Sequence, residues 1–167
     1  MNQIFFIKHA DISSNKLNEI CELKSIAWPH SIESQLNWIK SNISDNDIHV
    51  ILSNENESLA YLNLININCV VDGKLVHGYG IGNVCSREQG LGYGSILMEV
   101  INKYLIENKK VGVLFCKSKL VEFYRKFDWC LVSKEKLNLS FNNDNIETMI
   151  INLENNFNLL EYSGKSF

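Results

Sequence analysis

Six of the nine glycines lie between positions 78 and 94, and three of them form the run Gln89-Gly90-Leu91-Gly92-Tyr93-Gly94. Glycines ahead of a helix let the backbone take positive φ and let a ligand approach the main chain closely. The amide N–H groups at a helix start, aided by the helix dipole, bind phosphate oxygens. The chemistry on offer is anion capture by main chain, for which no Lys or Arg is required. Two phosphate motifs are excluded by spacing. A P-loop needs Gly-Lys-Ser/Thr, but Gly94 is followed by Ser95-Ile96. A dinucleotide fingerprint needs G-x-G-x-x-G, and neither Gly78-Tyr79-Gly80-Ile81-Gly82 nor the 90–94 run supplies it. A tight turn that holds no ligand is the other reading of the same residues.

Such a turn works only between a strand and a helix, and both are legible. Leu75 to Cys85 is a β-rich run, and after the turn Leu97, Val100, Ile101, Tyr104 and Leu105 form one apolar stripe of a helix reaching about Asn108. Upstream, Ile4 to Ile7 reads as a first strand, and Lys16 to Trp28 as a helix stopped by Pro29. Ser31 to Ile43 reads as a second helix with Ser31 as its N-cap. Ile48 to Leu52 and Leu59 to Val71 read as strands, the latter joined by Asp72-Gly73 to the strand before the turn. Downstream come a strand Val111 to Cys116, a short helix Leu120 to Phe127, and strands Trp129 to Val132 and Thr148 to Leu153. The Asn-rich patches after position 141 read as loops and a polar tail. This order predicts an α/β (α+β) fold with a mixed, largely antiparallel central sheet flanked by helices on both faces.

With 46% apolar and 21% charged residues, the chain of 167 residues has the composition of one folded domain spanning positions 1–167. A net charge of -3 leaves no cationic excess for a nucleic-acid backbone, so a nucleic-acid partner is not expected. No apolar run is long enough to cross a bilayer, and the run at the start is too short for a signal peptide, so no membrane partner is expected. The five cysteines are odd in number and lack any C-x-x-C pair, which argues against zinc and against a paired disulfide framework. Reduced thiols in a cytoplasmic protein follow, with Cys85 and Cys116 packed in strands. The oligomeric state stays open; a homodimer is compatible with the sequence.

The run Gln89-Gly90-Leu91-Gly92-Tyr93-Gly94 resembles in full the Gln/Arg-x-x-Gly-x-Gly/Ala signature of the GCN5-related N-acetyltransferase (GNAT) superfamily, with Val84 at its usual strand-end aliphatic position. A second element of that superfamily, an aromatic-Tyr pair in a short helix followed by a Gly-Phe-like pair, is matched by Phe123-Tyr124 and Asp128-Trp129. Together the two cover roughly Leu59 to Val132. Within the superfamily the arrangement is similar to the aminoglycoside 2'-N-acetyltransferases, through the Val70-Val71-Asp72-Gly73 hairpin, the Gly78-Tyr79 strand, and Tyr124 with Trp129. It departs from them at Gly80 or Ile81, where that group carries a substrate-binding Glu, and from the wider pattern at Lys117 for Asn and Asp128 for Gly.

The resemblance implies acetyl-coenzyme A (acetyl-CoA) as cosubstrate, no metal, and a small-molecule or peptide amine as acceptor. It implies that the diphosphate lies on the amides of Gln89, Gly90, Leu91, Gly92, Tyr93 and Gly94, and that the pantetheine arm runs along Asn83 and Val84. A backbone N–H near Val84 would stabilise the oxyanion formed when the amine attacks the thioester. Tyr124 would protonate the departing thiolate; the structural alternative is a core aromatic beside Phe123. No residue is assigned as general base. Glu88 reads as solvated, His77 lies far from the reactive end of its strand, and His30 is the remaining candidate in the loop between the first two helices. Trp28, Tyr79 and Trp129 either line an acceptor cleft or pack the core. Two alternatives stand beside the enzyme: a non-catalytic acyl-CoA sensor, and a drug acetyltransferase of aminoglycoside type whose acids Glu19, Glu22, Glu33 and Asp45 would hold a polycation.

Overall fold

A computed structural model describes residues 1–167. In chain order the elements are β1 (Gln3–Lys8), α1 (Ser14–Ala27), α2 (Ile32–Asn42), β2 (Ile48–Ser53), β3 (Ser58–Val71), β4 (Lys74–Ser86) and α3 (Tyr93–Glu107). There follow β5 (Val111–Cys116), α4 (Val121–Arg125), β6 (Cys130–Val132), β7 (Leu137–Leu139), β8 (Glu147–Ile151) and β9 (Leu160–Tyr162). The nine strands form a mixed sheet in which only β4–β5 and β7–β9 pair in parallel. That is the fold class expected from the sequence. Contacts divide the chain into two compact units, Met1–Ile65 with Gly82–Met98, and Asn66–Ile81 with Glu99–Phe167.

In the first unit β1, β2 and the first half of β3 pair antiparallel. Ser13 and Ser31 accept from the backbone N–H of Lys16 and Ser34, both at 3.2 Å, so each front helix begins at a serine cap. Gln35 Nε2 donates to the Trp28 carbonyl at 3.1 Å and closes the connection between the helices. The buried faces of α1 and α2 supply Ile20, Cys21, Leu23 and Ile39, which cluster with Ile51 of β2, Tyr61 of β3 and Cys85 of β4.

In the second unit β3 and β4 meet at a two-residue turn, Asp72-Gly73, with φ of 46° and 79°. Positive φ at both central residues marks the turn whose twist suits a hairpin. β4 pairs in parallel with β5 from Gly78↔Val111 to Ile81↔Leu114, and β8 lies antiparallel to β5 on its other side with β6 beyond. The end of the chain is more structured than a polar tail. β9 pairs with β3 and β7, and Phe157, Leu160 and Tyr162 are buried. β7 and β9 are three residues long and stand among Lys-, Asn- and Ser-rich residues, so this layer is silent in the sequence. The Asp72 carboxylate accepts from the N–H groups of Asn158 and Leu159 and ties that segment to the hairpin turn.

The β3–β4 hairpin is irregular in β4. Arg87 N donates to the Leu59 carbonyl at 2.8 Å, so those residues stand opposite each other. Twelve steps separate Leu59 from Val71, but thirteen separate Lys74 from Arg87, so β4 carries one extra residue. Asn83, with φ of 54° inside the strand, is where the backbone departs from the ladder.

Candidate active site

The glycine turn is built as the sequence predicts. Gly90 and Gly92 have φ of 85° and 78°, and a Cβ added to either would meet nothing within 4 Å. The turn is held from behind by Arg87, whose Nε donates to Glu57 Oε2 at 2.9 Å and to the Ser58 carbonyl at 3.0 Å. Glu88 to Gly92 are exposed, and α3 begins at Tyr93 with Ile96 N donating to the Gly92 carbonyl at 3.1 Å. The N–H groups of Tyr93, Gly94 and Ser95 therefore have no acceptor within their own helix. Two positive-φ glycines with open space where a side chain would stand therefore sit at the head of a 15-residue helix, next to main-chain N–H groups free of helical acceptors.

The strand feeding this turn has a free edge. The β4–β5 ladder stops at Ile81↔Leu114, whereas β4 continues as Gly82–Ser86. Asn83 and Val84 lie on that stretch, both half-buried. Asn83 Nδ2 donates to Asn63 Oδ1 at 2.7 Å, which fixes the irregular residue against β3.

Tyr124 stands on α4, a single helical turn preceded by a tighter turn over Ser118–Leu120. It is 6% exposed, and burial, reinforced by the nearby Cys116 thiol, pushes its phenol well above the usual tyrosine range. The phenol therefore carries its proton at neutral pH. The turn after α4 is fixed by Asn102, which accepts from Trp129 Nε1 at 3.0 Å and donates to the Phe127 carbonyl at 2.6 Å. Asp128, where the resemblance has Gly, takes φ of 63°. The position keeps the left-handed backbone that glycine favours, and Asp is among the few side chains that tolerate it.

The other candidates separate. Trp129 is 1% exposed and belongs to the core, and half-buried Tyr79 packs its ring 6.0 Å from that of Tyr104. Trp28 and His30 are exposed, and His77 is exposed and bonds Asn68 Oδ1 across the hairpin at 2.5 Å. Glu88 is exposed on the turn. Among the acids, Glu19 is engaged by Lys16 Nζ at 2.5 Å and Ser58 Oγ at 2.9 Å, while Glu22, Glu33 and Asp45 are exposed. No group of three His, Cys, Asp or Glu side chains is placed to hold a metal ion, and no helix is long and apolar enough to cross a membrane.

Sequence reasoning overlooked a buried polar group in the first unit. His49, on β2, bonds Tyr61 Oη through Nδ1 at 2.8 Å and His9 Nδ1 through Nε2 at 2.9 Å. Burial, then the charges of His9 and Lys24, lowers His49 to about 4, so the imidazole is neutral at physiological pH. Lys24 of α1 is 2% exposed with its ammonium 4.2 Å from the centroid of the Trp38 ring. Asn63 is fully buried, and its Nδ2 has no partner. The available signal was a polar residue inside an apolar run: His49 within Ile48 to Leu52, and Asn63 within Leu59 to Val71.

No family model and no curated protein matches the sequence. Solved structures do match. An acyl-CoA N-acyltransferase from Pseudomonas aeruginosa superposes with a TM-score of 0.65 at 17% identity, over 89% of this chain and 98% of that one. The Bacillus subtilis N-acetyltransferase YlbP, solved with coenzyme A, gives 0.58 at 17% identity over 90% and 96%. An aminoglycoside 6'-N-acetyltransferase complexed with coenzyme A gives 0.64 at 11% identity over 88% and 96%. The chain has the GCN5-related N-acetyltransferase fold.

Proposed function

We propose that the protein is an acetyl-CoA-dependent N-acetyltransferase acting on a primary amine. The observation that carries this reading is the open cradle at Gly90 and Gly92, at the head of α3 and at the end of a strand with a free edge. Coenzyme A in two of the similar structures supports the choice of cosubstrate.

In this reading the amides of residues 89–94 hold the diphosphate through fixed N–H dipoles, so affinity depends on backbone conformation more than on side-chain charge. Asn83 and Val84 pair with the pantetheine amides as an added strand would. A main-chain N–H near Val84 faces the carbonyl oxygen as it gains charge during attack by the neutral amine, and a dipole already oriented needs no rearrangement at that moment. Tyr124 keeps its proton until the thiolate departs. Burial leaves the phenol protonated at working pH and also raises it further above the thiol's value of about 8.5, so the proton passes to sulfur only as the C–S bond breaks.

Free thiol released from acetyl-CoA in the presence of a panel of primary amines tests the reading, together with calorimetry of coenzyme A binding. Turnover with at least one amine is expected. Binding without turnover across the panel points to a non-catalytic acyl-CoA binder, and no binding at all removes the coenzyme reading.

A further inference from the structure

Lys24 is a buried cation without a counter-ion. It lies on the inner face of α1, and no carboxylate pairs with it. The ionisable groups whose charges bear on it are the thiols of Cys21 and Cys85. Burial raises both, Cys85 to about 12, so neither is an anion at neutral pH. His49, whose own titration feels Lys24, is neutral. The Trp38 face gives the ammonium a partial substitute for water. An ordinary lysine at a helix surface extends its head into solvent; burial lowers this one to about 8, and an anion beside it would offset the cost of its charge.

A second unfilled donor lies in the same unit. Asn63 stands directly opposite His49 across the β2–β3 ladder, so the two side chains share a face. Its Oδ1 is occupied by Asn83 and its Nδ2 is unpartnered, in a residue with no exposed surface. The first unit thus presents an amide N–H with nothing to receive it and an ammonium with no paired anion. A carboxylate supplies what both lack, a single negative charge and acceptor oxygens. A doubly charged phosphate would be far more costly to desolvate beside one cation. Cys85, next to Lys24 electrostatically, is two residues beyond Asn83 on the strand assigned above to the thioester arm.

We propose that Lys24 and Asn63 bind the carboxylate of the acceptor, and that the acceptor class is amines carrying a carboxylate, such as free amino acids. This rests on the acetyl-transfer reading and narrows it. A carboxylate anchored beside Cys85 directs the amine of the same small molecule towards Asn83 and Val84, and a polycationic acceptor meets a like charge in Lys24.

Matched amines that differ only in the carboxylate provide the test: L-phenylalanine with phenethylamine, L-leucine with isoamylamine, and L-lysine with cadaverine. In thiol release from acetyl-CoA, the carboxylate member of at least one pair is expected to have kcat/KM higher by about tenfold or more, the value of one charge-assisted contact. In Lys24→Met that ratio falls towards one while the KM for acetyl-CoA holds. The variant exchanges a buried charge for an apolar chain of similar length, so folding is not its weak point. Equal rates within every pair in the unaltered protein, or a ratio that survives Lys24→Met, overturns the proposal and leaves acetyl transfer intact. If no amine releases thiol and coenzyme A does not bind, acetyl transfer itself fails. The carboxylate site is then judged by thermal stabilisation alone, which the amino acids must give to the unaltered protein and not to Lys24→Met.

Discussion

Asn83 reaches from β4 to donate its side-chain amide to Asn63 on β3, 2.7 Å away, and it does so from a left-handed backbone position. The bond holds in place the residue at which β4 leaves its ladder and begins the segment that leads to the glycine turn.

Gly92→Val places a β-branched side chain at φ of 78°. Straining that position costs about 1–2 kcal/mol, and the chain must either bear the strain or rotate the amides out of the cradle. The dissociation constant for coenzyme A is expected to rise by about tenfold, measured by calorimetry. Unchanged affinity would show that these amides do not grip the cosubstrate.

Tyr124→Phe keeps the ring that packs against Phe123 and removes only the phenol oxygen. If the phenol delivers the proton to the thiolate, kcat drops by about a hundredfold, the lower end for a positioned general acid. The KM for acetyl-CoA and the melting temperature stay close to their starting values. A rate that survives the substitution assigns the residue to packing.

Acid sensitivity has a located contributor in His49. Its value falls from 6.5 to about 4 on folding, so between those pH values the unfolded chain binds the extra proton and the native state does not. The stability it contributes is complete above about pH 6.5 and is lost as pH falls towards 4, by on the order of 3 kcal/mol. In His49→Gln, melting temperature plotted against pH should be flatter through that window than in the unaltered protein. Parallel curves would mean that the imidazole gains its proton as easily inside as outside.

Asn102→Ala removes both bonds that fix the turn after α4 and leaves the indole N–H of fully buried Trp129 without an acceptor. A buried unsatisfied donor costs about 1–3 kcal/mol. Urea unfolding should show a loss in that range with an unaltered m-value, and a neutral result would mean that solvent reaches the indole.

The glycine turn and the strand and helix around it were legible because each depends on local rules, namely positive φ at Gly90 and Gly92 and a 3.6-residue stripe after them. Asp128 was readable as a departure from the resembling pattern but not as a conserved backbone shape, since Asp can occupy φ of 63° where most residues cannot. β7 and β9 escaped because each is a three-residue strand set among polar Lys, Asn and Ser residues. The buried group of His49, Lys24 and Asn63 escaped for another reason. Each is a single polar residue in an apolar setting, and its partners lie on other strands or helices, at separations such as the forty residues between His9 and His49.

The thirteenth step in β4 also decides which way its last residues look. Side chains on a strand alternate between faces, so one inserted residue exchanges the two faces for everything after it. Cys85 thereby joins Tyr61 and Cys21 in the interior. Were β4 to keep the register of the turn through Asn83 with no residue looped out, Val84 would stand opposite Tyr61 in place of Cys85. The thiol would then point away from α1, and the amide now resting on Asn63 would swing to the opposite side of the sheet. The length of this strand is therefore as much a determinant of the chemistry beside it as the identity of any residue in it.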